Sequence, residues 1–262
     1  MNLRRFNAIH KPQPGRVRAL AKTHPAIISG RTIFPSKVEE ALDAPRLLVS
    51  GLNNRKIGSE VRKGPWSGMS IYMLTLEERA TCPRVCAQWT SCYGNAMHLA
   101  RRHRHGADLE ARLQREIKML ARENPIGFVV RLHVLGDFYS VEYVQLWIDL
   151  MRRHPEIHLF GYTARSTAGD DLDQSIATKV AELNAAFEAR CFIRTSARLP
   201  APGGASVISN SLPVQGAFVC PAETEKSECC ATCGLCWAPG VRDKAVLFLK
   251  HGMMGGRRRM AA

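Results

Sequence analysis

The chain has 262 residues, of which 45% are hydrophobic and 23% are charged, a composition typical of globular proteins. Thirty-seven Lys and Arg residues outnumber 23 Asp and Glu, and the net charge of +14 favours a polyanionic partner, of which nucleic acid is the first candidate. No segment approaches the roughly 20 consecutive apolar residues of a membrane helix, and no apolar stretch follows the first basic residues as in a secretory signal, so we expect a cytoplasmic protein.

Residues 1–50 are predicted to form a basic N-terminal arm interrupted by prolines. Within it, a short helix is predicted at Ser36–Leu42, because Ser36 can cap the helix and Glu39 stands three residues later. The polar, Gly-rich stretch Asn53–Gly68 is predicted to be a surface loop.

Residues 51–215 are predicted to form an α/β core. Short apolar runs predict strands at Met69–Leu76, Phe128–Leu135, Ile157–Tyr162, Cys191–Thr195 and Ser206–Ser209. Apolar residues at helical spacing predict helices between them, with stripes that begin at Leu109, Val144 and Leu172. This alternation predicts a parallel sheet, wound either into a full or partial (β/α) barrel or into an open doubly wound sheet, with ligands at the carboxyl ends of its strands.

Nine cysteines in a reducing compartment do not indicate a disulfide framework, and their odd number and tight clustering favour metal binding. The first group is Cys82, Cys86 and Cys92, in TCPRVCAQWTSCYG directly after the first core strand. Three thiolates can ligate three irons of a [4Fe–4S] cluster and leave the fourth iron open for chemistry. The alternative is a zinc site completed by His98 or a distant cysteine, although zinc prefers C-x2-C pairs.

The placement of this loop resembles that of the cluster loop in radical S-adenosylmethionine enzymes. Their usual spacing is Cx3Cx2C with an aromatic residue before the last cysteine, whereas here the second gap is five residues, with Trp89 as the aromatic residue and Tyr93 after Cys92. Gly136 and Asp137, at the end of the second core strand, resemble a shortened form of the Gly-Gly-Glu turn that holds the amino group of S-adenosylmethionine in that family. Asp137 could instead cap the helix that begins near Val141.

Polar residues at the ends of the next two strands are further candidates for cofactor contacts. Thr163, Arg165 and Ser196 would suit a ribose, a carboxylate or a phosphate. The alternative for Arg165 is a place on a basic surface. Cys191 lies inside an apolar strand and is predicted to be a buried free thiol.

The second cysteine group, in residues 216–242, is predicted to be a cysteine-rich extension of the core. Cys230, Cys233 and Cys236 match the start of a ferredoxin-type run, and Cys220 can supply the fourth thiolate of a second [4Fe–4S] cluster, with Cys229 as a spare. A zinc ribbon is the alternative, using Cys220 with Cys229 or Cys230 and then Cys233 and Cys236. Four protein ligands would close this cluster and suit it to electron relay or to pinning the C-terminal segment.

Two basic clusters are candidate nucleic-acid contacts. Arg101, Arg102 and Arg104 follow the first cysteine group, and Arg257, Arg258 and Arg259 lie in the predicted basic tail, residues 243–262. Together they could track a phosphate backbone, whereas each cluster alone would be a solvated face.

The chain resembles a family of phage and plasmid proteins named after mycobacteriophage gene product eighty-eight. The resemblance rests on NRKIG at residues 54–58, LTLEERATCPRVCAQWTSCYG at 74–94, HVLGDFYS at 133–140 and VCPAETEKSECCATCGLCW at 219–237. It implies two cysteine-rich sites on a core of radical S-adenosylmethionine enzyme type, either a partial barrel or a parallel sheet.

Three functional hypotheses follow from these patterns. The first is a radical S-adenosylmethionine-like enzyme with two [4Fe–4S] clusters, which uses a 5′-deoxyadenosyl radical on nucleic acid or a nucleotide. The second is a non-catalytic, nucleic-acid-binding iron–sulfur regulator of phage or plasmid origin. The third is a zinc-stabilised binding protein.

Overall fold

The computed structural model describes residues 19–208, 215–224 and 226–249. Its helices are α1 (Pro25–Ser29), α2 (Ala107–Glu123), α3 (Val141–Arg153), α4 (Asp171–Ala186) and α5 (Cys230–Cys233). Its strands are β1 (Val38–Glu39), β2 (Val49–Ser50), β3 (Ser70–Met73), β4 (Arg102–His103), β5 (Phe128–Leu132), β6 (Ile157–Thr163), β7 (Cys191–Ala197), β8 (Ala205–Ile208), β9 (Ala217–Val219) and β10 (Ala245–Leu249). Among the described residues, no helix is both long and apolar enough to cross a membrane.

Eight of the strands form one sheet in the order β2-β3-β5-β6-β7-β8-β10-β9. The seven strands that follow β2 in this order all run parallel to one another, and β2 pairs antiparallel with β3. The helices α2, α3 and α4 each connect two neighbouring parallel strands. The α/β class and the parallel-rich sheet predicted from the sequence are therefore confirmed.

The long helices form where the apolar stripes predict them. In α2 the side chains of Leu109, Leu113, Ile117 and Leu120 face the core and are buried. The helix ends at Glu123, and its C-cap Asn124 precedes a proline. In α3 the N-cap is Ser140, whose hydroxyl accepts a hydrogen bond from the backbone N–H of Tyr143 at 3.1 Å. The alternative that Asp137 caps this helix is therefore wrong.

The predictions for the N-terminal arm and the C-terminal tail need correction. The predicted helix Ser36–Leu42 is absent: Pro35–Lys37 forms a single 3-10 turn, and the residues after it form β1, which pairs with β4. Seven residues with one cap gain too little to form a helix when a strand partner is available. Residues 19–50 pack onto the core rather than forming a free arm, since Ile27 and Leu47 are buried. Residues 245–249, assigned to the basic tail, form β10 inside the sheet.

The sheet has two apolar faces because alternate residues of each strand point in opposite directions. On the outer face, Val130 and Leu159 pack against the helices α2 to α4. On the inner face, Val129 and Phe160 pack against residues from outside the strands, namely Ile57, Val61, Trp66, Ala231 and Trp237. The prediction that residues 53–68 form a surface loop is therefore wrong where their side chains are apolar. These side chains cover the inner face together with the C-terminal cysteine segment.

Arg102 is buried behind the first cysteine loop, where it holds this part of the chain together. Its guanidinium donates to Glu78 at 2.6 Å, and also to the backbone carbonyls of Gly94, Met97 and Ala100. Glu78 accepts a further hydrogen bond from Thr32 at 2.7 Å. Because the side chains of Arg102 and Glu78 are 0% and 1% exposed, the prediction that Arg102 contacts nucleic acid is wrong.

The other members of the two basic clusters remain candidate nucleic-acid contacts. Arg101 and Arg104 are exposed or half-exposed, and they form ion pairs with Glu39 and Glu40. Arg257, Arg258 and Arg259 lie outside the described residues, as do residues 1–18 of the predicted arm.

We predict that Arg102→Met lowers the free energy of unfolding by about 3–5 kcal/mol, because it leaves the carboxylate of Glu78 buried without its ion-pair partner. Urea unfolding followed by circular dichroism under anaerobic conditions measures this loss. The matched control is Arg152→Met, since Arg152 is 63% exposed and its ion pair with Asp149 should contribute at most about 1 kcal/mol. Equal stability of the two variants would contradict the prediction.

Candidate metal centres

The first cysteine loop lies at the carboxyl ends of β3, β5 and β6. Thr81, directly before Cys82, joins the loop to the other strand ends: its hydroxyl donates to the carbonyl of Glu77 at 2.9 Å and accepts from the backbone N–H of Asp137 at 3.1 Å. The carbonyl of Thr81 accepts from Arg165 at 2.7 Å. Cys82 is therefore held directly beside the residues that follow β5 and β6.

Gly136 is required for this close approach. Its backbone has φ of +84°, and a Cβ atom there would lie 2.6 Å from both the Cβ of Leu76 and the Oγ1 of Thr81. Any other residue would push the cysteine loop away from the sheet.

Asp137 is buried, and its carboxylate binds the end of the neighbouring strand. It accepts hydrogen bonds from the hydroxyl of Thr163 and the backbone N–H of Ala164, at 2.7 Å each, and from the backbone N–H of Phe138 at 2.8 Å. Burial raises the pKa of Asp137 to about 6, although these donors oppose the rise. The carboxylate thus ties the β5–α3 connection to the end of β6.

Arg165 extends the same network and does not lie on a basic surface, which corrects that alternative. It is 6% exposed, and its guanidinium donates to the carbonyls of Phe138 and Thr81 and to the carboxylate of Asp173 at 2.5 Å. The structure therefore brings together Gly136, Asp137, Thr163 and Arg165, as the sequence predicted. It adds Thr81 and Asp173, which the sequence analysis missed. Ser196 is exposed near the end of β7, directly after Thr195, the register partner of Thr163.

The three thiols of the first cysteine group lie close enough to influence one another. Burial raises the pKa of Cys82, and Asp137, Cys86 and Cys92 raise it further. Burial likewise raises the pKa of Cys92 to about 12, with a contribution from Cys86. In the part of the chain that the structure describes, no three His, Cys, Asp or Glu side chains converge as ligands of a single metal ion.

The second cysteine group lies against the inner face of the sheet and is held by residues 54–62. The backbone N–H groups of Cys230 and Ala231 donate to the carbonyls of Lys56 and Ile57, at 2.9 and 2.8 Å. Gly58 has φ of +84°, and a Cβ atom there would lie 2.7 Å from the Cβ of Ala231. The motif NRKIG therefore forms the surface against which the cysteine segment packs.

Each of the four predicted ligands of this group either raises the pKa of another ligand or has its own pKa raised by one. Burial raises the pKa of Cys220 to about 11, with Cys236 among the groups that raise it further, and burial also raises the pKa of Cys230, where Cys236 and Cys220 contribute. Cys233 ends α5 and contributes to the raised pKa of Cys236, although burial is the larger cause. Cys229, the predicted spare, is instead the N-cap of α5.

All nine cysteines lie in the described residues, and none forms a disulfide. Cys191 is buried in β7 among the outer-face core residues, so the prediction of a buried free thiol is confirmed.

Three arginines that the sequence analysis did not assign to a metal site lie beside the cysteine groups. Arg79, which is buried, donates to the carbonyls of Trp89 and Arg31 and to the side chain of Asn95. Arg194, also buried on β7, donates to five backbone carbonyls, those of Cys236, Gly203, Val241, Arg242 and Lys244. The third, Arg131 on β5, is half-buried and stacks over the rings of Tyr162 and Phe160 at 4.8 and 5.4 Å.

None of these three guanidiniums has a carboxylate within ion-pair distance among residues 19–208, 215–224 and 226–249. These guanidiniums instead lower the pKa of nearby thiols. Burial raises the pKa of Cys86 and Cys92, Asp137 and Glu78 respectively raise it further, and Arg79 opposes the rise in both. Burial raises the pKa of Cys236, and Arg194 and Arg131 oppose it. Each cysteine group thus has positive charge beside it that would favour thiolates over thiols.

Arg131 lies between the two groups. It opposes the burial-driven rise in the pKa of Cys230 in the second group and of Tyr93, the residue after Cys92, in the first. The hydroxyl of Tyr162, whose ring lies under Arg131, is 2.9 Å from the Sγ of Cys236. An arginine inside the apolar run FVVRL was the one sequence signal for this position.

Residues 46–239 match the family model described as gene product 88, and the matched span contains both cysteine groups and the helices α2, α3 and α4. No curated protein and no solved structure matches the chain. Because the family model covers well over half of the 262 residues, the chain belongs to the gene product 88 family.

Proposed function

We propose that this chain is an iron–sulfur protein with two [4Fe–4S] clusters. One is held by Cys82, Cys86 and Cys92, and the other by Cys220, Cys230, Cys233 and Cys236. The observation that carries the proposal is the set of guanidiniums beside the thiols, Arg79, Arg131 and Arg194, which have no carboxylate partner among the described residues. A cluster with thiolate ligands is an anion, and it would supply the negative charge that these cations lack.

The donor set favours iron–sulfur clusters over zinc. A cluster uses each thiolate on a separate iron, so its ligands need not converge on one point, whereas a zinc ion gathers four ligands around itself. The two x2 gaps between Cys230 and Cys236 are also those of ferredoxin-type clusters.

We propose further that the first cluster makes the protein a radical S-adenosylmethionine-like enzyme acting on nucleic acid or a nucleotide. Three thiolates leave one iron open, and such a cluster, when bound, supplies the electron that starts radical chemistry with S-adenosylmethionine. Two features support this assignment: the loop lies at the carboxyl ends of parallel strands, and β3, β5, β6 and β7 are neighbours joined by helices, as a partial barrel would require.

The chain's own residues would keep the cysteine loop in place during such a reaction. Gly136 allows the loop to approach the sheet, and Asp137 and Arg165 lock the strand ends beneath it. They are positioning residues, because their hydrogen bonds go to the protein. The second, closed cluster would pin the C-terminal segment on the inner face and could exchange electrons with the first past Arg131.

One observation favours a second candidate, a non-catalytic iron–sulfur regulator that binds nucleic acid. Asp137, Thr163 and Arg165 were predicted to contact a cofactor, yet they bond to one another and to the cysteine loop. In a regulator the clusters would be structural or redox-sensing, and the net charge of +14 would serve binding alone.

We predict that anaerobically purified protein contains about eight irons per chain and absorbs near 400 nm. Replacing Cys82, Cys86 and Cys92 together by Ala should remove about four irons, and replacing Cys230, Cys233 and Cys236 should remove the other four or so. Metal analysis measures both losses. The control variants are Cys191→Ala and Cys229→Ala, which should keep full iron. Zinc at either site, or unchanged iron in the triple variants, would contradict the proposal.

We predict that dithionite-reduced protein converts S-adenosylmethionine to 5′-deoxyadenosine, because the cluster on three cysteines leaves an iron open to it. Liquid chromatography measures the product, and the variant lacking Cys82, Cys86 and Cys92 should form none. If the intact protein holds full iron, forms no 5′-deoxyadenosine and shows a paramagnetic signal that ignores S-adenosylmethionine, the regulator replaces the enzyme.

We predict that Arg79→Gln lowers the midpoint potential of one cluster by on the order of 50–100 mV, since removing a nearby positive charge favours the more oxidised state. An anaerobic redox titration followed by electron paramagnetic resonance measures the shift. Arg79→Lys keeps the charge and is the matched control, with a much smaller expected shift. Equal potentials in both variants would show that Arg79 acts only through its hydrogen bonds.

A further inference from the structure

A cavity of about 580 Å³ opens beside Cys86, on the solvent side of the first cysteine loop. Three parts of the chain line it: the residues around α1, the cysteine loop itself and the segment that follows β7. Each part contributes one basic residue, respectively Lys22, Arg84 and Arg198. The cavity therefore collects positive charge from segments that are distant in sequence.

Among the residues that the structure describes, no acidic one lines this cavity. Within the described ranges, Lys22, Arg84 and Arg198 also have no carboxylate at ion-pair distance, whereas Arg31, Arg101 and Arg104 each have one. Arg84 is held in place because its Nη1 donates to the carbonyls of Ile27 and Ile28 at 3.1 Å each. Three unneutralised cations around one opening favour an anionic ligand.

The same cavity offers a flat, partly apolar wall. The guanidinium of Arg84 stacks on the ring of Trp89 at 5.0 Å, and Val85 and Ile28 are 57% and 64% exposed at the rim. Stacked arginine and tryptophan side chains are the surfaces on which proteins bind the planar bases of single-stranded nucleic acids.

We propose that this cavity binds a nucleotide unit of the substrate, with its phosphate near Lys22, Arg84 and Arg198 and its base against the wall formed by Trp89. The unit could come from a free nucleotide or from a single-stranded nucleic acid. The assignment of this nucleotide as the substrate rests on the proposed function, because it depends on chemistry at the cluster that Cys86 would help to hold. The binding of a nucleotide does not depend on that function. The cosubstrate S-adenosylmethionine fits this cavity poorly, since its sulfonium, ammonium and carboxylate groups give it a net positive charge.

Calorimetric titration of the anaerobically purified full chain tests the proposal with adenosine 5′-monophosphate, adenosine and an eight-residue single-stranded oligonucleotide. Adenosine should bind roughly tenfold or more weakly than the monophosphate, because it lacks the charge. Trp89→Ala should weaken binding of the monophosphate about 5- to 150-fold, the range expected for loss of one stacked base. Tighter binding of the oligonucleotide than of the monophosphate identifies a strand as the source, and the reverse identifies a free nucleotide.

The variants Arg84→Ala and Arg198→Ala change residues on different segments. If one variant misfolds, the other still measures the contribution of the cavity to binding. Each should reduce the salt dependence of oligonucleotide binding by about 0.7 in the slope of log K against log salt. Arg152→Ala, an exposed arginine at the far end of α3, should leave affinity and slope unchanged.

Three results would overturn the proposal: equal affinity for adenosine and its monophosphate, unchanged binding in both cavity variants, or competitive displacement of the monophosphate by S-adenosylmethionine. Iron content measured on the same samples separates these results from a failure of the cluster assignment.

Discussion

A buried guanidinium that lacks its negative partner costs about 3–5 kcal/mol, and the fold must offset that cost locally. Arg102 obtains its partner from Glu78 and thereby supports the first cysteine loop from behind. Within the described part of the chain, Arg79 and Arg194 donate to neutral carbonyl and amide acceptors alone, and both lie beside thiols. The same constraint therefore explains the ion pair of Arg102 and supports the proposal that anionic clusters lie beside the other two arginines.

The hydrogen-bond network at the strand ends determines where the first cysteine group can lie. Asp137 and Arg165 come from the ends of β5 and β6, and both reach Thr81, the residue before Cys82. The carboxylate of Asp137 and the guanidinium of Arg165 are also fixed from the far side, by Thr163 and Asp173. A loop held from several elements at once keeps a fixed geometry, which a site that holds a cluster or positions a substrate needs.

The sequence predicted the elements whose signal is local and missed those that depend on distant partners. The helix α2 could be predicted because its apolar residues repeat along one face. The metal binding of the cysteine groups stays a prediction from their spacing. The two-residue strand β1 carries no such pattern and forms only with β4 in place. The strand β10 is an exception: its apolar run AVLFL is a local signal, which was missed because these residues were assigned to the basic tail. The burial of Arg102 was invisible for the same reason as β1, since its ion-pair partner lies 24 residues earlier in the chain.

Residues 54–62 receive the second cysteine segment more than 160 residues further along the chain, as the hydrogen bond from Cys230 to Lys56 shows. During synthesis the ribosome must therefore extend the polypeptide past Trp237 before the inner side of the sheet can be covered. Until then Phe160 lacks its contact with the ring of Trp237, 4.6 Å away, although residues 57–66 and the outer helices can already pack. The nascent protein therefore has an incomplete core, and its tendency to aggregate depends on how soon the C-terminal cysteine segment is synthesised.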